Sequence, residues 1–378
     1  MPDLSPIAGR VPESGIRRIF ELAQAIEGVT FLAVGEPELP VAPHILAAGA
    51  AAWERDATAY TANSGILPLR EAIVTTLARD NGYAVDPDQI NVTPGGSQAL
   101  FLAMTLALAP GDEILVPDPG YATFAMAPRL VGAIPVRYPL HAEHGFIPQL
   151  SDLEALVTPS TKALLINSPS NPLGTVLGES TMRELLAFAA RHDLWVISDE
   201  VYEYLSYDGG FTSAATIAPE RTLSVYSLSK TYGLTGARVG YLVSPPGLAH
   251  AARQVQEATI SCVNEPAQWA ALAALEGPQD AVADAVAHYQ ANLAAARALL
   301  DARGIRYLVP GGAFYLWIDV SHASKGDVSA WAESFLMTER VAVAPGSAFG
   351  PSGEGWIRVC FAGRTEPLLH GLAKLPVP

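Results

Sequence analysis

Thr222-Leu223-Ser224-Val225-Tyr226 runs directly into Ser227-Leu228-Ser229-Lys230-Thr231-Tyr232-Gly233-Leu234-Thr235-Gly236-Ala237-Arg238. The first five residues read as a short buried strand that ends at a polar, glycine-rich turn. Hydroxyls stand just before Lys230, glycines surround it, and Arg238 follows eight positions later. A lone lysine is ordinarily a solvated surface residue. A lysine at the end of a buried strand, among other positive charges, has its pKa lowered, which is the condition for an amine acting as nucleophile and proton carrier. Such an amine can hold an aldehyde as a Schiff base, and the neighbouring hydroxyls and guanidinium suit a phosphate.

Two further blocks have the same form. Leu164-Leu165-Ile166-Asn167-Ser168-Pro169-Ser170-Asn171-Pro172-Leu173-Gly174 is an apolar strand followed by a Pro/Asn/Gly turn, and Leu194-Trp195-Val196-Ile197-Ser198-Asp199-Glu200-Val201-Tyr202 is a strand ending in a carboxylate. Candidate strands at 89–92, 113–116, 134–138, 163–166, 194–198, 223–226 and 239–242 alternate with helical patterns such as 98–108 and 180–192. That alternation predicts an α/β fold with a mostly parallel sheet covered on both faces. Ligands of such sheets bind beyond the carboxyl ends of the strands, where Asn171, Asp199 and Lys230 all fall. Farther on, 264–303 reads as long alanine-rich helices broken near Gly277-Pro278, and 307–309, 313–318, 341–343 and 356–360 read as strands of a smaller α+β unit.

The 378 residues are enough for one large domain and a smaller one. Half of them are hydrophobic, and the formal charge is −15. That balance argues against nucleic-acid binding, which needs clustered lysine and arginine, and against an anionic membrane surface. Cys262 and Cys360 are far apart and show neither metal spacing nor a disulfide framework, so a reducing, cytoplasmic compartment is expected. The start, Met1-Pro2-Asp3-Leu4-Ser5-Pro6, lacks the form of a signal peptide. No apolar run approaches the roughly 20 residues needed to span a bilayer. The eight histidines are scattered without metal spacing, so no metal is expected.

The three blocks, in this order, resemble the class I/II aminotransferases of fold type I, and the likeness extends from about Gly15 to Arg364. The resemblance implies pyridoxal 5'-phosphate (PLP) as cofactor. It implies a large domain with a mostly parallel seven-stranded sheet over 42–280, and a discontinuous small domain formed by 1–41 and 281–378. It also implies a homodimer with shared active sites, and transfer of an amino group from an L-amino acid to a 2-oxo acid by ping-pong chemistry. A C–S β-lyase or a cyclase on the same scaffold remains an alternative, and a PLP-binding sensor domain a remote one.

The resemblance also gives roles to individual residues. Lys230 matches the Schiff-base lysine, which shuttles the proton between the substrate Cα and the cofactor. Asp199 matches the partner of the pyridine nitrogen; by itself it reads equally as a helix N-cap. Tyr202 and Asn171 match the pair that hydrogen-bonds the ring oxygen, although Asn171 alone reads as a turn residue before proline. Gly96, Ser97 and Gln98, at a helix start that suits an anion, are expected to hold the phosphate together with Ser227, Ser229 and Arg238. Ser97 as a plain N-cap is compatible with that role.

Tyr121 matches the aromatic that stacks on the ring, with a core tyrosine as the plain alternative. Tyr60 matches a tyrosine that reaches the phosphate of the neighbouring subunit. Arg358, in an otherwise apolar strand, needs a partner. A substrate α-carboxylate suits it best, and a structural salt bridge is the alternative. Gly35 matches a glycine close to that carboxylate, and Ile16 lies in a segment that closes over the substrate. The chain departs from the family pattern at Ser97, where the thermophilic aspartate branch has a lysine for the distal carboxylate. It departs again at Leu39-Pro40-Val41-Ala42, a loop expected to line the substrate pocket and make it more apolar.

Overall fold

The computed structural model describes residues 5–378, so the reading of the first four residues lies outside what is described. Seven strands form the main sheet in the order Ile90–Thr93, Gly240–Val243, Thr222–Ser227, Trp195–Asp199, Thr161–Asn167, Glu113–Asp118 and Ile134–Pro139. Only Gly240–Val243 runs antiparallel to its neighbours. The central strands are almost wholly buried, as parallel strands covered on both faces must be. The Ile134–Pro139 edge is half exposed and carries two prolines and Arg137, a pattern that blunts an edge against further pairing.

Register decides where the chemistry collects. Asn167 pairs with Asp199, and Asp199 with Val225, two residues before Ser227. Thr93 and Ser227 flank Gly240 from opposite sides. The carboxyl ends of four strands therefore open on one edge of the sheet, and the helix Gly96–Ala107 begins there.

Beyond the sheet, the helices Glu265–Glu276 and Asp280–Ala302 are separated at Gly277-Pro278, as the sequence predicts. The second sheet is antiparallel, ordered Ala344–Pro345, Trp356–Cys360, Tyr315–Asp319, Tyr307–Leu308. The strand expected at 341–343 forms as Val341–Ala342 and lies outside this sheet. Val341–Ala342 pairs in parallel with Thr30–Phe31, and the chain joins the sheet only at Ala344. The Cys360 N–H then donates to the Leu32 carbonyl at 2.9 Å. The N-terminal stretch is thus stitched to the C-terminal strands, and Val34–Gly35 is carried to the edge of the main sheet. Among the described residues, no helix is long and apolar enough to cross a membrane.

Candidate active site

A cavity of about 320 Å³ opens at that sheet edge, lined among others by Gly96, Ser97, Tyr121, Asn171, Asp199 and Tyr202. Ser227, Ser229, Lys230, Arg238, Arg358, Gly35 and Ile16 complete the predicted set. Thirteen of the fifteen residues singled out in the sequence meet in one space. Gln98 and Tyr60 do not line it. Each helical residue turns about 100° from the last, so Gln98 rotates off the mouth that Gly96 and Ser97 face. Tyr60 is 90% exposed and is not among the residues lining its own chain's cavity.

At the phosphate end, Gly95 has φ +78°, and a Cβ there would run into the Arg238 guanidinium. Only glycine lets that cation lie against the first turn of the helix. Arg238 donates to the carbonyls of Thr235 at 2.9 Å and Pro94 at 3.3 Å, which fixes its plane. Ser227 caps the short helix Leu228–Thr231 by accepting from the Ser229 N–H at 3.2 Å. That cap turns Lys230 inward at the end of its strand. The helix-start N–H groups, two serine hydroxyls and a guanidinium form a donor set for a dianion.

Lys230 is half-buried, and its Nζ donates to the Gly35 carbonyl at 2.6 Å. Burial lowers its pKa to about 8, with the Arg358 and Arg238 charges acting in the same direction and Cys360 and Glu36 against it. The Gly35 carbonyl is an acceptor engaged by an amine, so it cannot pair with a carboxylate; only the Gly35 N–H retains that possibility.

Asp199 is 4% exposed. Burial raises its carboxyl to about 7, the neighbouring Glu200 adding to the effect, while the Val201 N–H at 3.4 Å and Lys230 oppose it. A carboxyl in that condition ionises readily only when a cation or an N–H⁺ group faces it. The sign of the consequence follows from proton counting. Between 3.8 and about 7 the folded chain holds the proton that the unfolded chain has lost, so this group's contribution to stability falls as pH rises through that window. In the cofactor-free protein, Asp199→Asn is therefore expected to gain stability relative to wild type between about pH 4 and about pH 7, the difference levelling off above. Urea denaturation of both proteins at about pH 5 and about pH 8 measures it, and an unchanged difference would contradict the assignment.

At the other end, Arg358 is 2% exposed, and among the described residues no carboxylate pairs with it, which speaks against a structural salt bridge. Its Nη1 donates to Asn171 Oδ1 at 2.8 Å and its Nη2 to the Ala33 carbonyl, while its buried Nε lacks any partner. Arginine offers only donors, so Asn171 must turn its oxygen to Arg358 and its NH2 elsewhere. Asn167 sets that turn: its Oδ1 accepts from the Asn171 N–H at 2.8 Å, and its Nδ2 donates to the Asp199 carbonyl at 3.1 Å.

Asn167, Tyr315, Val34 and Thr235 also line the cavity and escaped the sequence reading. Asn167 had a visible signal, a polar residue ending an apolar strand beside a turn. Tyr315 had none, since an inward aromatic in the run 313–318 reads as core. The loop 39–42 is a correction. Leu39, Pro40 and Ala42 pack behind Lys230 with Tyr232 and Tyr289 and do not line the main cavity, so that loop supports the lysine from the rear.

The chain matches the aminotransferase class I and II family model over residues 27–374. It is 35% identical to an aromatic-amino-acid aminotransferase of Thermococcus litoralis, over 97% of this chain and 95% of that one. It is also 35% identical to an aspartate aminotransferase of Pyrococcus abyssi, over 97% and 95%. The solved aspartate aminotransferase of Thermus thermophilus with maleate superimposes with a TM-score of 0.93 at 33% identity, covering 99% of each chain. The chain belongs to the class I and II aminotransferases. It is an enzyme that transfers amino groups with PLP as cofactor, on the fold-type I scaffold, and the lyase and cyclase alternative is not favoured.

The residues present fit that cofactor. The dianion cradle of Arg238 and Gly95, the buried carboxyl of Asp199 and the amine of Lys230 suit the phosphate, the ring nitrogen and the aldehyde, and Arg238, Asp199 and Lys230 all line one cavity.

Proposed function

We propose that this enzyme takes its amino group from L-amino acids with uncharged side chains, aromatic ones included, and passes it to a 2-oxo acid. The observation that supports this is the charge inventory of the cavity. Its cations among the described residues are Lys230, Arg238 and Arg358. The aldehyde, the phosphate and the α-carboxylate occupy all three, which leaves no cation for a second carboxylate. Ile16, Val34, Tyr121 and Tyr315 give the rest of the lining an apolar and aromatic character. Ser97 stands where the resemblance places a lysine for the distal carboxylate.

When bound, PLP supplies an electrophilic carbon and an electron-withdrawing ring. The protein's part is positional and electrostatic. Gly96, Ser97, Ser227, Ser229 and Arg238 hold the phosphate. Tyr121 covers one face of the ring. Asp199 would face the ring nitrogen and hold its proton, and the NH2 of Asn171 and the hydroxyl of Tyr202 would donate to the ring oxygen. Arg358 takes the substrate carboxylate and so fixes which bond at Cα stands toward Lys230. Lys230, with a pKa of about 8, exists in both protonation states near neutrality and carries the proton from Cα. Ile16, at the start of the helix Gly15–Gln24, closes the cavity from the N-terminal side.

We further propose that residues 42–280 form the large domain and 1–41 with 281–378 the small one. The pairing of Thr30–Phe31 with Val341–Ala342 supports that division. The exposed Leu46, Trp53, Tyr60 and Leu67 support a homodimer. So does an open apolar groove, between the helices Pro43–Glu54 and Glu265–Glu276, that reaches Arg238. A Tyr60 from the second copy would then reach the phosphate end. The acidic charge and two unpaired cysteines suit the cytoplasm.

A half-reaction screen tests the substrate reading. The loaded enzyme is mixed with single amino acids, and the cofactor's absorbance change is followed and then reversed with a 2-oxo acid. Phenylalanine, tyrosine and neutral aliphatic donors are expected to convert it at least about tenfold faster than aspartate, the scale of one charge-assisted contact. Faster conversion by aspartate would overturn the donor preference while leaving the transfer chemistry intact.

A further inference from the structure

Tyr315 connects the two ends of the site. It is 1% exposed, lines the cavity and belongs to the Tyr315–Asp319 strand. Its ring centroid lies 4.4 Å from the Arg358 guanidinium carbon, and the Phe349 ring centroid lies 4.9 Å from the same carbon. Two aromatic rings thus pack against the guanidinium. The Tyr315 hydroxyl is 2.6 Å from the hydroxyl of Tyr202. A Cβ on Gly35 would overlap that same hydroxyl, so the glycine makes the space in which the phenol sits. Burial, first of all, pushes both phenols upward in pKa, so both stay protonated.

Two neutral phenols in contact share one of their two protons, which leaves one O–H to donate elsewhere. We propose that Tyr315 is a positioning residue that donates to the Tyr202 oxygen, so that the Tyr202 proton is the one directed at the cofactor's ring oxygen. The inference rests on the reading of Tyr202 given above. The bond from Tyr315 polarises Tyr202 and strengthens its donation, as in any hydrogen-bonded chain. The ring of Tyr315 serves separately, as a wall against Arg358. The charged and titratable groups facing the pair are Arg358, Asp199, Tyr121 and Cys360. Among the described residues, the Tyr315 hydroxyl has Tyr202 as its hydrogen-bond partner.

The test separates the hydroxyl from the ring. A donor aimed at the ring oxygen favours the cofactor form in which that oxygen carries unshared negative charge, so a weaker donor moves the midpoint of the spectral pH titration upward. In the cofactor-loaded enzyme, Tyr315→Phe is expected to raise that midpoint by roughly a few tenths of a pH unit and to leave the KM for amino donors unchanged, because the ring remains. Tyr315→Leu is expected to give the same midpoint shift together with a raised KM, because the wall is lost. Tyr202→Phe, the reference, is expected to shift the midpoint farther than either. A wild-type midpoint in Tyr315→Phe beside a shifted one in Tyr202→Phe would overturn the relay and leave the function standing. Unshifted midpoints in both would overturn the relay together with the placement of Tyr202.

Discussion

Lys230→Ala is expected to abolish turnover, with a loss on the order of 10⁴-fold or more, because in the proposed mechanism one amine serves both as the covalent anchor and as the proton carrier. The amine sits where both roles can be served. Its Nζ is at the Gly35 carbonyl, and Leu39, Pro40 and Tyr232 lie behind it. The structural cost should be small. Lys230 makes no ion pair, and the Ser227 cap that shapes its turn stays in place. Circular dichroism and urea midpoints near wild type, with no cofactor retained after borohydride reduction and denaturing gel filtration where wild type keeps it, are the expected results. A variant that still transaminates at the wild-type rate would remove Lys230 from the mechanism. An external amine small enough to enter the cavity should restore part of the proton transfer, though not the anchoring.

Replacing Arg358 carries the second largest effect. Arg358→Gln is expected to lower kcat/KM for amino acids by on the order of 10²–10³-fold, the range for removing one partner of a buried charge-assisted pair. Most of the loss should appear in KM, since the carboxylate is bound in the ground state as well as in the transition state. Arg358→Lys should recover little. A lysine offers no planar fork and does not pack against Tyr315 and Phe349 as a guanidinium does. The discriminating comparison uses an amine that lacks the carboxylate. Wild type and variant should process it equally slowly, and a large difference there would mean that Arg358 acts on something other than the carboxylate. A modest loss of cofactor retention should accompany the change, because Asn171 loses the contact that fixes its amide.

Much of this site was legible before any coordinates. The hydroxyl-lysine-glycine turn, the strand ending in Asp199 and the Asn171-Pro172 turn are local patterns whose chemistry survives without knowing what they touch. The seven strands were legible because each is a short apolar run bounded by turn residues, and their boundaries moved by only one or two residues. The strand at 341–343 was legible too, as Val341–Ala342, but its partner was not. A two-residue pairing with Thr30–Phe31 depends on a partner more than 300 positions away, and no local pattern announces it. The loop 39–42 failed similarly: an apolar loop fits the rear of the lysine as readily as the front of a pocket.

The linear sequence determined the reaction class, the cofactor and the set of residues proposed to hold it, because these need particular side chains at the ends of recognisable strands. Tertiary structure decided the rest. Parallel register set Asn167, Asp199 and Ser227 along one edge. The return of the N-terminal segment placed Gly35 under Lys230. The antiparallel pairing of Trp317 with Arg358 put the Tyr315 strand beside Arg358. Whether a buried arginine meets a carboxylate, two rings or an asparagine depends on which distant strands pair, and those long-range contacts leave no periodicity in the chain for a reader to find.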